Sequence, residues 1–163
     1  MVWAVNVVKN KGITFIEMIM VMVILGIVLA IATPSFIQYR QNTNLREATE
    51  DFANQIALYK QRAGAEDIRY RIVINLAAGE YEVERNPNPD SPEIYIPLNP
   101  AVVKRFDEFS PQIALLAAPA SIVMQPRGTV SAGTVTLQHA GTQRRAEIVT
   151  HISGRVNVDY KDY

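Results

Sequence analysis

The sequence predicts an α+β chain in which one long N-terminal helix packs on two small antiparallel β-sheets. Three observations predict it. From Met18 to Tyr39 there are 22 residues without a charge, enough for a helix rising about 1.5 Å per residue to cross a hydrocarbon core of roughly 30 Å. Beyond Pro34 the residues Leu45, Ala48, Phe52, Ile56, Tyr59 and Ala63 recur at spacings of three and four, which is one face of a helix. After Gly64 the period becomes two, in short runs divided by glycine and proline turns.

The helix is expected from about Thr14 to Ala63, apolar all round in its membrane-spanning first half and amphipathic in its second. Pro34 removes one backbone hydrogen bond and predicts a kink. Arg46 and Glu50 make a favourable i,i+4 pair off the apolar face, and Gly64 supplies a C-terminal stop. Next, Ile68, Tyr70, Ile72, Ile74 and Leu76 alternate with Arg69, Arg71, Val73 and Asn75, the pattern of a half-buried strand. A turn at Ala78-Gly79-Glu80 returns Tyr81 to Arg85 as a hairpin. Asn86 to Pro100 holds five prolines in 15 residues and predicts an irregular loop, with an extended piece at Ile94 to Ile96. Val102 to Phe109 fits a short helix and an extended connector equally. Five short strands come next, at Gln112 to Leu116, Ser121 to Gln125, Gly133 to His139, Ala146 to His151 and Arg155 to Asp159. Turns at Pro126-Arg127-Gly128, Ala140-Gly141 and Ser153-Gly154 separate them, as in small antiparallel sheets.

At 163 residues the chain holds one anchor and one domain of about 100 residues. Lys+Arg and Asp+Glu both number 16, so no overall field favours nucleic acid or an acidic surface. With no cysteine, disulfides, thiol catalysis and cysteine-based metal sites are excluded. Lys9 and Lys11 precede the apolar run without an acidic residue, so positive-inside logic keeps that end cytoplasmic and exports the residues beyond Pro34. The stub Met1 to Val8 is unusually apolar for a leader, which leaves Met1 open as the true start.

One carboxylate, Glu17, stands beside the apolar run, five residues after Gly12. An intramembrane carboxylate costs about 2.5–3.5 kcal/mol on insertion scales and usually has a partner. An ordinary signal anchor would account for the length, but not for the glycine or its spacing to the carboxylate. The run Gly12-Ile13-Thr14-Phe15-Ile16-Glu17 resembles the class III signal of type IV pilins and pseudopilins, commonly Gly-Phe-Thr-Leu-Ile-Glu, with Pro34 also in place. Ile13 stands where phenylalanine is usual and keeps an apolar first residue. The resemblance implies a leader at 1–12, cut after Gly12 by a prepilin peptidase that N-methylates Ile13. It further implies a transmembrane and filament-core helix at 13–39, an exported domain at 40–163, and assembly on an inner-membrane platform. The cationic amine of Ile13 and Glu17 would then pair between subunits, each offsetting the other's desolvation; pairing within one chain is the competing role. Gly26 allows close helix approach or is simply tolerated, and Pro34 gives either a static kink or a point where the helix stretches during assembly.

A second resemblance lies in the tail. Ile122-Val-Met-Gln-Pro-Arg-Gly128, then Thr134 to Leu137, Ile148-Val149 and Gly154-Arg155-Val156 look like the C-terminal half of a GspH/FimT-like minor pilin domain. Some such subunits are associated with DNA uptake through a basic tail containing Gly-Arg-x-Arg. Here Asn157 replaces the second arginine, and Asp159 and Asp162 oppose Lys161, which forfeits most attraction to phosphate. Arg144, Arg145 and Arg155, with Arg127, remain a candidate patch if the strands bring them together.

Catalytic signals are poor. His139 and His151 lack metal-ligand spacing and read as sheet-surface or core residues. Asp107, Glu108 and Glu80 to Glu84 read as solvated faces. Oxygen ligands at Asn86, Asn88, Asp90, Ser91 and Glu93 lack an EF-hand pattern and are divided by prolines. No cofactor, metal site or enzymatic activity is expected. The expectation is a minor pilin or pseudopilin, a structural or priming subunit of a type IV pilus or type II secretion pseudopilus. Its partners would be other pilins, the peptidase, the platform and inner-membrane lipid, with the C-terminal domain periplasmic. The alternatives are a DNA-binding uptake subunit and a single-pass membrane-anchored periplasmic receptor or enzyme.

Overall fold

The computed structural model describes residues 12–88, 91 and 94–161. A single 52-residue helix, α1, spans Phe15–Glu66. The chain forms two compact units that divide between Gln38 and Tyr39. In the first unit every described residue is exposed, and those from Met18 to Ile31 are almost all Met, Val, Ile and Leu. Such a surface is the reverse of a water-soluble helix and matches a hydrocarbon environment. The helix runs unbroken through Pro34.

In the second unit α1 buries Leu45, Ala48, Thr49, Phe52, Ile56, Tyr59 and Ala63, the expected stripe with one hydroxyl added. Thr49 is tolerated there because its hydroxyl donates to the Leu45 carbonyl at 2.6 Å. The helix passes through Gly64 and ends at Glu66, with Asp67 in the left-handed conformation at φ 53°. Aspartate takes that conformation more readily than most residues, so Asp67 ends the helix in place of the glycine. A Cβ at Gly64 would lie 3.4 Å from the Pro126 carbonyl oxygen, in ordinary contact with the loop that passes the helix there.

Eight strands occur among the described residues: β1 Arg69–Asn75, β2 Glu80–Asn86, β3 Ile96–Arg105, β4 Ile113–Ala117, β5 Ser121–Met124, β6 Gly133–His139, β7 Arg145–Thr150 and β8 Val156–Lys161. They make two four-stranded sheets, β3-β2-β1-β5 and β4-β6-β7-β8, with every pairing antiparallel. The α+β architecture is therefore the one the sequence predicts. One part differs: the proline-rich stretch yields a ten-residue strand, and only Phe106–Glu108 turns helically. β3 pairs Ile96 with Arg85 and Pro97 with Glu84, shifts register, then pairs Val102 with Val83 and Arg105 with Glu80. The irregularity falls where the prolines interrupt the ladder.

Both sheets feed one core. Ile72, Val83 and Ile122 from the first and Val135, Leu137 and Ile148 from the second are fully buried with Phe52 and Ile56 of α1. Phe52 lies edge-on to Tyr81 at 4.9 Å and to Phe106 at 5.2 Å, the favoured arrangement of aromatic rings. Polar groups beside the Phe52 cluster are paired, whereas both ring nitrogens of buried His139 have no hydrogen-bond partner. Tyr81 donates to Asp51 at 3.3 Å, and Lys104 bridges the same carboxylate at 2.8 Å.

Candidate functional site

Thr14 stands immediately before α1, and its side-chain oxygen accepts the Glu17 backbone N–H at 3.3 Å. Its carbonyl accepts the Met18 N–H at 3.2 Å. Thr14 is therefore the N-cap, and Thr14-x-x-Glu17 has the sequence form of a capping box. The carboxylate falls in the first turn, where the helix dipole favours it. Sequence reading passed over Thr14 as a functional residue, although the threonine–glutamate spacing carried the signal. Glu17 is exposed, and no ion pair joins it to another of the described residues. Ile13 beside it is 72% exposed. Gly12 is described and open on all sides, whereas Lys9 and Lys11 lie outside the described residues.

Gly26 has no atom within 4 Å of where a Cβ would be. Nothing in its own chain requires a glycine there. Pro34 has no N–H to give the Ala30 carbonyl, and one residue earlier the Thr33 hydroxyl donates to the Leu29 carbonyl at 2.7 Å.

The predicted arginine patch divides in two. Register places Arg145 opposite Lys161 at one end of the β7–β8 pair and Thr150 opposite Val156 at the other, where Arg155 begins the return. Arg144 and Arg145 line an open pocket of about 250 Å³ with Asn42, Leu45, Arg46 and Tyr160. Arg127 lies instead with Asp67, Arg69, Gln125 and Pro126 beside the far end of α1. Arg46 and Lys60 mark the two levels on the helix, about 21 Å apart along its axis. The Arg46 contribution was not foreseen, because its pairing with Glu50 at 2.6 Å was the only role its local sequence displayed.

The two glycine turns of the tail meet. Gly154, at φ +78°, approaches so closely that a Cβ would be 2.2 Å from the Gly128 carbonyl oxygen. Gly128 itself has φ +81°. Lys60 of α1 donates to the Gly154 carbonyl at 2.9 Å, tying both turns to the helix. These motif residues hold the second sheet against α1.

The remaining candidates fall into structural roles. His139 is fully buried at the end of β6, and burial holds its imidazole below the usual range. His151 is exposed in the β7–β8 turn. Asn86 is buried and spends its amide locally, donating to the Ser91 carbonyl at 2.8 Å and accepting the Asn88 N–H at 2.8 Å. Asp90 and Glu93 lie outside the described residues. Asp107 is paired with Arg105 at 2.8 Å. No group of His, Asp and Glu that would hold a metal occurs among the described residues.

Comparison with known proteins joins these observations. Residues 8–33 match the prokaryotic N-terminal methylation motif. The type IV major pilin protein PilA of Myxococcus xanthus is 29% identical over 109 residues, 55% of this chain and 48% of the relative. The chain thus spans about half the length of that curated relative. The minor pseudopilin EpsH of the Vibrio cholerae type 2 secretion system superposes with a TM-score of 0.56 at 12% identity, covering 71% of this chain and 96% of EpsH. The type IV minor pilin FimU of Pseudomonas aeruginosa gives 0.55 at 10% identity, covering 74% and 92%. Motif, relative and folds support the same assignment, a chain of the type IV pilin and pseudopilin superfamily.

Proposed function

We propose that this chain is a non-catalytic filament subunit, a minor pilin of a type IV pilus or a pseudopilin of a type II secretion pseudopilus. One observation carries the reading: the methylation motif opens a wholly exposed apolar helix that continues, without interruption, into the core of a two-sheet domain. An exposed apolar stretch of this length needs lipid or other helices around it. A filament whose core is made of such helices provides the second after the first.

Each step has its residues. A membrane peptidase cuts between Gly12 and Ile13 and methylates the new amine, with Lys9 and Lys11 held on the cytoplasmic side and the domain exported. The anchored subunit is then passed by the inner-membrane platform into the filament. Glu17 pairs with the Ile13 amine of a neighbour, and at hydrocarbon depth each charge relieves the other. Gly26 gives a site of close helix approach, and the missing donor at Pro34 gives local freedom during packing.

Thr14 supplies the discriminating test for Glu17. A capping box works with glutamine as well as glutamate at its third helical position, whereas ion pairing needs the charge. Glu17→Gln should therefore keep helix start, membrane insertion and cleavage, yet be lost from sheared filaments, and Glu17→Asp should be partly retained. Incorporation of Glu17→Gln at the unsubstituted level would overturn the inter-subunit role. Mass spectrometry of the purified protein should find N-methylated Ile13 as the first residue. A protein retaining Met1, or cut elsewhere, would overturn the subunit assignment itself.

A further inference from the structure

We infer that the second unit carries a head-to-tail docking surface for a second copy of this chain. Arg69, Arg127 and Arg155 at one end of the first sheet meet Glu80, Glu82 and Glu108 at the other end of the next copy's sheet. The inference rests on the proposed role as a filament subunit. The basic end lies beside the last turns of α1. Arg69 and Arg127 line one pocket with Asp67, and among the described residues neither side chain has an ion pair or hydrogen bond. The close approach of Gly154 to Gly128 brings in Arg155, the next residue along. The charges of Arg62 and Arg85 reach the Tyr70 phenol. The carboxylates among these cations are Asp67 and Glu66, which accepts the Tyr70 hydroxyl at 2.6 Å.

The acidic end is the other end of the same sheet. Tyr81 and Val83 are buried, so alternation puts Glu80, Glu82 and Glu84 in a row on the outer face of β2. Glu108 adds its charge near the Tyr81 phenol. Arg71 takes Glu84, Lys104 takes Asp51 and Arg105 takes Asp107, which leaves Glu80, Glu82 and Glu108 in excess. Val103, half exposed and opposite Glu82, supplies an apolar contact beside the row. Tyr81 reaches Asp51 and Tyr70 reaches Glu66, fifteen residues further along α1, so the two ends lie about 22 Å apart along the helix. Attraction between unlike ends and repulsion between like ones set the register of two copies. Copies anchored in a membrane by the same end stand parallel, so they cannot close both contacts in an antiparallel dimer. They meet with one displaced along the other. Such a heterologous contact leaves one basic and one acidic end free for further copies, as an open filament requires. A nucleic acid would meet Glu66 and Asp67 within the basic end and leave the acidic end unanswered.

The test uses the full chain in cells that assemble filaments. The chain has no cysteine, so Val103→Cys beside the acidic row and Gln125→Cys beside Arg127 report only the introduced positions. Chains with one substitution each, differently tagged, should be joined by a short bismaleimide into mixed dimers recovered from sheared filaments, without dimers between like chains. A chain carrying both cysteines should give a ladder of oligomers. An exposed ion pair contributes up to about fivefold to association, and reversing one charge turns attraction into repulsion. Glu82→Arg or Arg127→Glu alone should therefore lower the mixed dimer about 5- to 25-fold, and the two reversals together, one on each chain, should restore it. A chain absent from sheared filaments would overturn the subunit reading and the inference with it. A chain present there without the mixed cross-link, or with one that survives both single reversals unchanged, would overturn the inference alone. Dimers between like chains, or a double-cysteine chain that stops at dimers, would overturn it in favour of a two-fold contact. Duplex DNA binding that depends on Arg127, without the mixed cross-link, would overturn it in favour of nucleic acid.

Discussion

Replacing Gly154 with alanine tests how the tail is fastened to the helix. Two costs combine. The residue is at φ +78°, where an L side chain loses about 1–2 kcal/mol. The new methyl would also be 2.2 Å from the Gly128 carbonyl oxygen, a backbone atom that moves only if its turn moves, and such overpacking costs about 1–3 kcal/mol. Together they predict a loss of about 2–5 kcal/mol. Gly79 and Gly128 separate the two costs, because both have positive φ but no atom within 4 Å of an added Cβ. Alanine at either should cost only the conformational part, about 1–2 kcal/mol. The assay is urea unfolding of residues 39–163, monitored by circular dichroism and compared by midpoint at constant slope. If Gly154→Ala were within about 0.5 kcal/mol of Gly79→Ala, the close contact between the two turns would be refuted.

Phe52→Ala removes a fully buried ring that touches Tyr81 and Phe106, and the same unfolding assay should show a loss of about 3–5 kcal/mol. Thr14→Ala removes the N-cap of α1 and should reduce helix stability by about 0.5–2 kcal/mol, read as earlier fraying at residues 14–18 by amide exchange in detergent micelles. Alkaline stability should fall as the domain's buried phenols ionise. The Tyr70 pKa is pushed up to about 12, first by burial and then by its hydrogen bond to Glu66 at 2.6 Å, and burial also raises Tyr81. A raised folded pKa means that Tyr70's contribution is complete below about pH 10 and is lost as pH rises through about 12. Unfolding midpoints should therefore drop across that window, and less steeply in Tyr70→Phe.

The parts of this fold that were legible in the sequence are those whose cause is periodic. The six apolar positions from Leu45 to Ala63 are all buried, because spacing on a helix decides burial without knowledge of the partner. β1 and β6 were equally plain, since alternation fixes which face is covered. The end of α1 was misplaced because two signals competed. Gly64 is the usual stop, but the helix continues through it, and Asp67 takes the left-handed position. β3 was hidden by its prolines, which argue against a central strand; its place at the edge of its sheet removes that objection.

The candidate site divides along the same line. Gly12, Ile13, Glu17 and Pro34 form a local pattern, and a local pattern is readable in one pass along the chain. The pocket of Arg46 with Arg144 and Arg145 joins positions about one hundred residues apart, and only strand register settles which arginines share an end. Sequence proximity grouped Arg145 with Arg155, but β7 and β8 are a hairpin, and a hairpin sends its turn to one end and its open ends to the other. Ten residues along the chain therefore became a full strand length of separation. The same geometry brought Gly154 to Gly128 and to Lys60, so that one hairpin fastens the sheet to the helix at its turn and completes a cationic pocket at its open end.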